Sequence, residues 1–318
     1  MKLWWHKLNN WEYWPVYIVY LPTFFLWVTY MIKFRSFRFY NLVNPKIKNG
    51  GFYGDGKMEV YKLFPQKLYP KTLLISHIKT NNFEKLLKEN QLAFPIIVKP
   101  DVGCRGVSVD KLYSLDALQT YHSTINEAYL IQENIELPNE IGLFYCRLPN
   151  QPKGQITGIT NKRFLTVTGN GKDSLEQLLR LNPRFELQIP KLKNKIDLSE
   201  VLSNNEQRCL VPFGNHNRGT QFLDGKDLIT EKLELYFDSV LSKIEGFYFG
   251  RLDIRFNTFE ELEQGLNFSI IELNGVKSEP THIYDPKYSF LLGQQEIFKH
   301  QKMISKIVEM NAVKSNLI

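Results

Sequence analysis

The sequence predicts an α+β protein of two lobes, preceded by a hydrophobic helix at its N-terminus. Three observations point there. Residues 13–32 read YWPVYIVYLPTFFLWVTYMI and carry no charge. Short apolar runs at 94–98 and 107–109 flank a glycine-bearing loop at 101–106. Two further runs, 248–256 and 268–273, place polar or charged residues at every second position, the spacing that gathers side chains on one face of a strand. A chain of 318 residues suits roughly two domains or one two-lobed unit.

The N-terminal stretch is expected to belong to a membrane. About 20 uncharged residues match the hydrocarbon thickness of a bilayer. Trp4, Trp5, Trp11 and Trp14 crowd its start, Trp27 and Tyr30 its end, and Lys33, Arg35 and Arg38 follow. Aromatic rings favour the headgroup boundary, and the basic cluster keeps the following chain in the cytoplasm. The expected location is therefore the cytoplasmic face of the inner membrane. No small-residue cleavage site follows, which excludes an ordinary cleaved signal peptide. Pro15 can start a helix, whereas Pro22 should kink one. A bent, re-entrant or interfacial segment stays open beside a full span, as does an aromatic helix docked on the soluble part.

Hydrophobic residues make up 43% of the chain and the net charge is +7. This balance provides a sizeable core and suits a protein that handles polyanionic nucleotides or lies beside anionic lipid. Lys and Arg are spread rather than clustered, which argues against nucleic acid. Cys104, Cys146 and Cys209 form no CxxC pair and read as isolated small residues.

Residues 41–57, NLVNPKIKNGGFYGDGK, are turn-rich, and their GDGK lacks the Walker spacing; they read either as a substrate-facing loop with Lys57 contacting an anion or as a plain connector. TLLISHI at 72–78 reads as a short strand, and a helical stretch follows near 81–90. Next comes FPIIVKPDVGCRG. A loop between two antiparallel strands can fold over a triphosphate, because glycine lets backbone N–H groups approach phosphate oxygens. Lys99 can set an ammonium against the same charge. An ordinary β-hairpin is the plainer alternative. The strand AYLIQ, 128–132, brings Gln132 and Glu133 to a strand edge suited to adenine and ribose, and Glu140 precedes another strand. Lys162 lies near a strand, and a GNGKDS turn then opens a helix capped by Ser174 or Asp173.

In GFYFGRLDIRF, Arg251, Asp253 and Arg255 share one strand face; in FSIIELNG, Glu272 and Asn274 share another. If these strands pair antiparallel, Asp253, Glu272 and Asn274 converge as an oxygen donor set suited to Mg²⁺. Arg251 and Arg255 can then neutralise charge on a transferring phosphoryl group. A salt-bridge cluster across a hairpin is the alternative.

In order and spacing, FPIIVKPDVGCRG, YLIQENIELPNE, TVTGNGKDSLEQLL, GRLDIRF and IELNG resemble the ATP-grasp superfamily, in particular its D-alanine–D-alanine ligase-like and carboxylate–amine ligase branches, over residues 92–290. The resemblance implies two α+β lobes clamping ATP, with Mg²⁺. Together with the hydrophobic stretch it gives a division into a membrane-anchoring or re-entrant segment at 1–40, a linker and shortened N-terminal lobe at 41–90, and the ATP-grasp domain at 91–318. It assigns the nucleotide to Lys99, the loop Asp101, Gly103, Arg105 and Gly106, the hinge Gln132 and Glu133, and Glu140. It assigns the metal to Asp253, Glu272 and Asn274, and catalysis to Arg251, with Arg255 and Lys162 as further cations. Where D-alanine ligases carry a Pro-Gly-bearing loop, this chain reads GVKSEPTHIYDP. Lys277, Ser278 and His282 there, with His216 and Arg218 in PFGNHNRGT, are the expected substrate residues. The implied activity is ligation of a small-molecule or lipid-linked carboxylate to an amine through an acyl phosphate. A small-molecule kinase and a non-catalytic nucleotide-binding membrane module are the alternatives.

Overall fold

The computed structural model describes residues 2–76, 82–103 and 106–314. The uncharged stretch at 13–32 is not one helix. After α1 (Lys2–Asn9) the chain makes a 3-10 turn at Trp11–Tyr13, then α2 (Val16–Val19) and α3 (Leu21–Lys33). Pro15 precedes the first turn of α2 and Pro22 sits in the first turn of α3. An amide donor is dispensable at both places, so the prolines start helices rather than kink one. Of the readings left open for this segment, a full span has no helix to make it: among the described residues no helix is long and apolar enough to cross a membrane.

Instead, one side of this segment is docked on the domain. Trp27 Nε1 donates to Gln301 Oε1 at 2.7 Å and Tyr30 OH to the Gln301 carbonyl at 3.2 Å, both on the long C-terminal helix Phe290–Lys314. Tyr30, Phe34, Phe39 and Val43 share a core cluster with Ile304, Ile307 and Val308. Trp11 lies on Gly293, packs against Tyr284 and Phe290, and donates Nε1 to the Tyr288 carbonyl at 3.2 Å.

The first lobe follows. After α4 (Lys57–Tyr61) come β1 (Thr72–Ile75), α5 (Phe83–Glu89), β2 (Ile96–Pro100), β3 (Asp110–Leu112), α6 (Leu115–Thr124) and β4 (Tyr129–Glu133). The strands form an antiparallel sheet in the order β1-β4-β2-β3. Asn82 and Ser114 cap α5 and α6 by accepting from Lys85 N and Ala117 N, as short polar side chains do at helix starts. Both helices cover one face, where Ile75, Phe83, Leu87, Ile96, Val98, Leu118 and Ile131 are buried together. The second strand of the glycine hairpin begins at Asp110, three residues beyond the sequence expectation, because residues 106–108 form a turn with Gly106 and Ser108 at positive φ. β1, from the stretch read as linker and shortened lobe, is an edge strand of this sheet.

The second lobe is built on a five-stranded antiparallel sheet. Its strands are β5 (Asn139–Cys146), β6 (Gln155–Arg163), β9 (Gln221–Asp224), β10 (Phe249–Phe256) and β11 (Phe268–Asn274), in the order β11-β10-β5-β6-β9. Between β6 and β9 a small unit is inserted: β7 (Leu165–Thr168), α7 (Leu175–Arg180), α8 (Pro183–Glu186), α9 (Ile189–Leu192) and β8 (Gln207–Val211). Ser174 caps α7 through a reciprocal box with Gln177, one of the two caps the sequence offered. α10 (Glu231–Leu241) and α11 (Phe259–Glu263) cover one face of the large sheet, where Ile141, Leu143, Leu252, Ile254, Leu233 and Phe237 are buried. The period of two therefore sends Arg251, Asp253 and Arg255 to the opposite face. α12 (Phe290–Lys314) closes the chain. Cys146 is buried and Cys209 exposed, both as thiols; Cys104 lies outside the described residues.

Truncation of a buried aromatic side chain costs about 3–5 kcal/mol. Trp11→Ala should therefore lower the unfolding free energy by about 3 kcal/mol in denaturant titrations. A change within error would mean that the N-terminal segment is not part of the cooperative fold.

Candidate active site

The two sheets face each other across a cleft of about 1100 Å³. Its floor is the charged face of the large sheet. β10 and β11 pair antiparallel, with Arg251 opposite Asn274 and Asp253 opposite Glu272, so the three oxygen-bearing side chains named from the sequence are brought to one place. Immediately afterwards the register slips: Ile254 faces Ile270, and Ile271 is the extra residue of a bulge. A bulge re-aims the local backbone. Here the Ile271 carbonyl accepts from the Tyr61 hydroxyl and from Lys99 Nζ at 3.1 Å. Lys99, buried in β2, also donates to Tyr61 OH at 3.0 Å. It thus bridges the two lobes at the cleft.

Behind this edge runs a chain of five alternating charges. Arg255 Nε lies 2.9 Å from Glu140 Oε2; Glu140 Oε1 lies 2.8 Å from Lys162 Nζ; Lys162 Nζ lies 3.1 Å from Asp253 Oδ2; Arg251 Nε lies 2.9 Å from Asp253 Oδ1. Lys162 and Glu140 are 5% and 3% exposed, a depth at which unpaired charge is very costly. Burial alone would raise the Asp253 pKa, but Arg251 and Lys162 outweigh it and hold the carboxyl below its usual range. Burial likewise works against the Lys162 cation, and the Asp253 and Glu140 carboxylates outweigh it in turn. Glycines make room: a Cβ on Gly142 would stand 3.3 Å from Asp253 Oδ1, and one on Gly214 would stand 1.9 Å from Glu140 Oε1.

Arg251 faces the cleft while its Nη1 donates to the Glu279 carbonyl at 3.2 Å. Arg255 is a brace as well as an ion partner: Nη1 donates to the Leu137 carbonyl at 2.9 Å, Nη2 to the Pro212 carbonyl, and the guanidinium covers the Phe164 ring. Lys162 lies beneath the floor and is not among the side chains lining the cleft.

On the first-lobe side, Gln132 and Glu133 line the cleft, Gln132 donating to Thr72 Oγ1 at 2.7 Å. Gly103 and Gly106 line it as well, and Gly106 uses positive φ. Asp101 is turned away from the cleft, a correction to its nucleotide assignment: Oδ1 accepts from Met58 N at 2.8 Å and so secures the start of α4. Arg105 lies outside the described residues. Lys57, expected to contact an anion, lines the cleft but spends Nζ on the carbonyls of Pro100, Asp101 and Gly103. It therefore pins the loop. Burial lowers its pKa, partly countered by Glu272.

At the other end, His216 and Arg218 line the cleft as expected. Arg218 donates to the Gly106 and Val109 carbonyls at 3.2 and 3.3 Å, tying the glycine turn to the second lobe. Lys277 is paired with Asp55 at 3.0 Å. Ser278 accepts from Arg251 N at 3.1 Å and donates to the carbonyl of Asn274, closing the turn after β11. His282 is a correction. It is buried against Gly158, Tyr288 and His300, away from the cleft, and burial lowers its pKa. Thr281, its neighbour, lines the cleft instead. Glu12 was missed altogether. It reaches the cleft from the N-terminal segment, with Oε2 2.9 Å from His216 Nε2 and Oε1 on Arg184. The available signal was its isolation: it is the one acidic residue in the first 54.

The donor set fits a hard divalent cation. Among the described residues no three His, Cys, Asp or Glu side chains gather into a metal cage. A cation would draw on Asp253, Glu272 and the Asn274 carboxamide, with remaining positions left to water or phosphate oxygens, as Mg²⁺ sites do. Asn274 Nδ2 is buried without a partner. A half-turn of the carboxamide presents its oxygen there at no change of shape.

No protein-family model matches the chain, and no curated protein matches it. Solved structures do. A bifunctional glutathione synthetase from Pasteurella multocida is similar over 81% of this chain and 38% of its own, at 14% identity and TM-score 0.40. The D-alanine–D-alanine ligase of Bacillus anthracis is similar over 80% of this chain and 66% of its own, at 15% identity and TM-score 0.42. The VanG D-Ala:D-Ser ligase of Enterococcus faecalis is similar over 83% of this chain and 62% of its own, at 11% identity and TM-score 0.43. The chain thus spans between 38% and 66% of the length of these structures. The likeness is one of fold.

Lys162→Met tests the buried charge chain. Removing one member of such a set costs about 3–5 kcal/mol. A lowered folded pKa means that Asp253 contributes stability above its usual 3.8, lost as pH falls through the folded value. Without Lys162 that folded value rises, so the acid limb of the stability profile should begin at higher pH. Thermal melts between neutral and acid pH check both effects.

Proposed function

We propose that this protein is an ATP- and Mg²⁺-dependent ligase that joins the carboxylate of a small molecule to an amine. The observation that carries the reading is the floor of the cleft, where Glu272 stands as register partner to an Asp253 held ionised by its cations, flanked by Arg251, beneath a lobe that brings in Lys99. The sequence resemblance implies the same roles for the same residues. Asp253, Glu272 and Asn274 would hold the cation, which would supply positive charge against the phosphates of a nucleotide.

The remaining work falls to side chains already fixed in place. Arg251 is clamped by Asp253 and the Glu279 carbonyl. A fixed cation there meets charge developing on a transferred phosphoryl group without reorganising, which is where electrostatic catalysis gains most. Lys99 offers its ammonium to phosphate at the seam of the lobes. Gln132 and Glu133 line the side suited to base and sugar, and Gly103 and Gly106 leave room for close backbone approach. His216, Thr281 and Tyr284 line the opposite end, where the acid and amine would meet. In this reading the carboxylate oxygen attacks the γ-phosphorus and ADP leaves; the amine nitrogen then attacks the acyl carbon and inorganic phosphate leaves.

Candidate carboxylates should stimulate ADP release, and hydroxylamine in place of the amine should give the corresponding hydroxamate. Glu272→Gln and Asp253→Asn should each lower turnover by about 10²-fold or more. Glu272→Gln, on a half-buried side chain, should do so with an unchanged melting curve. A stable phosphorylated product with no hydroxamate would replace the ligase reading by a kinase, and full turnover in Glu272→Gln would remove the cation assignment.

A further inference from the structure

The N-terminal segment shows the domain one face and solvent another. Tyr20 links α2 to α3 with helical hydrogen bonds on either side, Tyr20 N to the Val16 carbonyl and Phe24 N to the Tyr20 carbonyl, each 2.9 Å. Along this nearly continuous helix Tyr17, Leu21, Phe24, Phe25, Val28 and Ile32 recur at the spacing of one helical face. All six are exposed: Tyr17 by 72%, Phe24 by 60%, Phe25 by 62% and Ile32 by 73%. Phe37, just beyond, is 81% exposed. A contiguous apolar stripe of this kind calls for a partner.

Charge identifies the partner. The first 54 residues contain seven Lys and Arg and one acid, Glu12; the other 264 contain 33 Lys and Arg against 32 Asp and Glu. Six of the seven net positive charges therefore sit in the segment that carries the apolar face. Glu12 is turned inward on Arg184 and His216. Arg35 and Arg38 lie exposed beside the end of the stripe, and Trp4 and Trp5 are exposed near its start. A second copy of the chain would bring like charges together. An anionic bilayer satisfies both parts at once: its acyl boundary takes the ring and aliphatic side chains, and its headgroups take the arginines.

We propose that the outer face of α2 and α3 docks in the plane of an anionic membrane surface, with the segment lying along the interface rather than crossing it. The inner side stays fastened to α12 through Trp27, Tyr30 and the bond of 2.9 Å from Gln294 Nε2 to the Val19 carbonyl. Trp14, Pro15, Val16 and Val19 of the same segment line the cleft, so docking holds the cleft mouth beside the headgroups. If the ligase reading is right, that placement suits a lipid-linked carboxylate or amine.

Flotation of the full chain with two kinds of vesicle tests the docking without reference to activity: phosphatidylcholine alone, and phosphatidylcholine with roughly a third phosphatidylglycerol. The protein should rise with the anionic vesicles. Binding should be at least about tenfold weaker to neutral vesicles, and similarly weakened in Arg35→Glu/Arg38→Glu. Phe24→Ser/Phe25→Ser should abolish flotation with an unchanged melting curve. Protein that stays at the bottom with both vesicle types overturns the proposal, as does a serine variant that floats like the parent. A dimer in sedimentation that the serine pair dissolves, without vesicle binding, assigns the face to a second copy and also overturns it.

Discussion

Lys162 sits between Glu140 and Asp253 at a depth where none of the three could remain charged alone. Much of the second lobe follows from keeping that set paired. The ion pairs span β5, β6 and β10, so they hold only while those strands keep their register. Arg255 extends the chain of charges outward and uses its remaining donors on the carbonyls of Leu137 and Pro212, which ties the connections before β5 and after β8 to the sheet. Gly142 and Gly214 leave space that a methyl group would fill. The outcome is a floor on which Asp253 is held ionised between Arg251 and Lys162, with Glu272 as its register partner, before any ligand arrives. Preorganisation of this sort separates a site that can stabilise developing charge from one that must first rearrange.

How far this was legible depends on the physics behind each residue. Strand periodicity is local. It put Arg251, Asp253 and Arg255 on one face and Glu272 and Asn274 on another, and antiparallel pairing then brought the two together. The bulge at Ile271 is not local, because a slip by one residue leaves no compositional trace. Yet it supplies the carbonyl that receives Lys99. Asp101 and Lys57 followed a different rule from the one expected of them. Both stand beside the glycine loop, but backbone donors and acceptors of that loop and of α4 claimed them first. His282 looked like a substrate residue because its neighbours in sequence are polar. In the fold, α12 covers it, while Thr281 one position earlier faces the cleft.

The N-terminal segment shows why hydropathy without periodicity is ambiguous. An uncharged run of 20 residues satisfies the length rule for a span and also describes a helix apolar all round, buried on one side by protein. Pro15 and Pro22 decide the local geometry by starting two short helices, and the polar atoms of Trp27 and Tyr30 decide the docking by finding Gln301. What remains apolar and outward is therefore surplus to the fold. A domain with its own cores beneath both sheets does not need to leave Phe24, Phe25 and Ile32 in water.

Glu12 connects that surface to the cleft. Burial would raise its pKa, but His216 and Arg184 outweigh burial and keep it ionised. Arg184 belongs to the inserted unit, and its Nη1 donates to the Thr220 carbonyl; His216 belongs to the segment whose Arg218 holds the glycine turn of the first lobe. Pulling the N-terminal segment away would strip the buried Arg184 guanidinium of its carboxylate partner, a change costing several kcal/mol. The segment is therefore fastened to the walls of the cleft: Glu12 meets His216, and Arg218 two residues on holds the turn at Gly106. The same ionic logic that fixes the floor through Lys162 thus fixes the rim through Glu12, and each places a charge where apolar surroundings make its loss expensive.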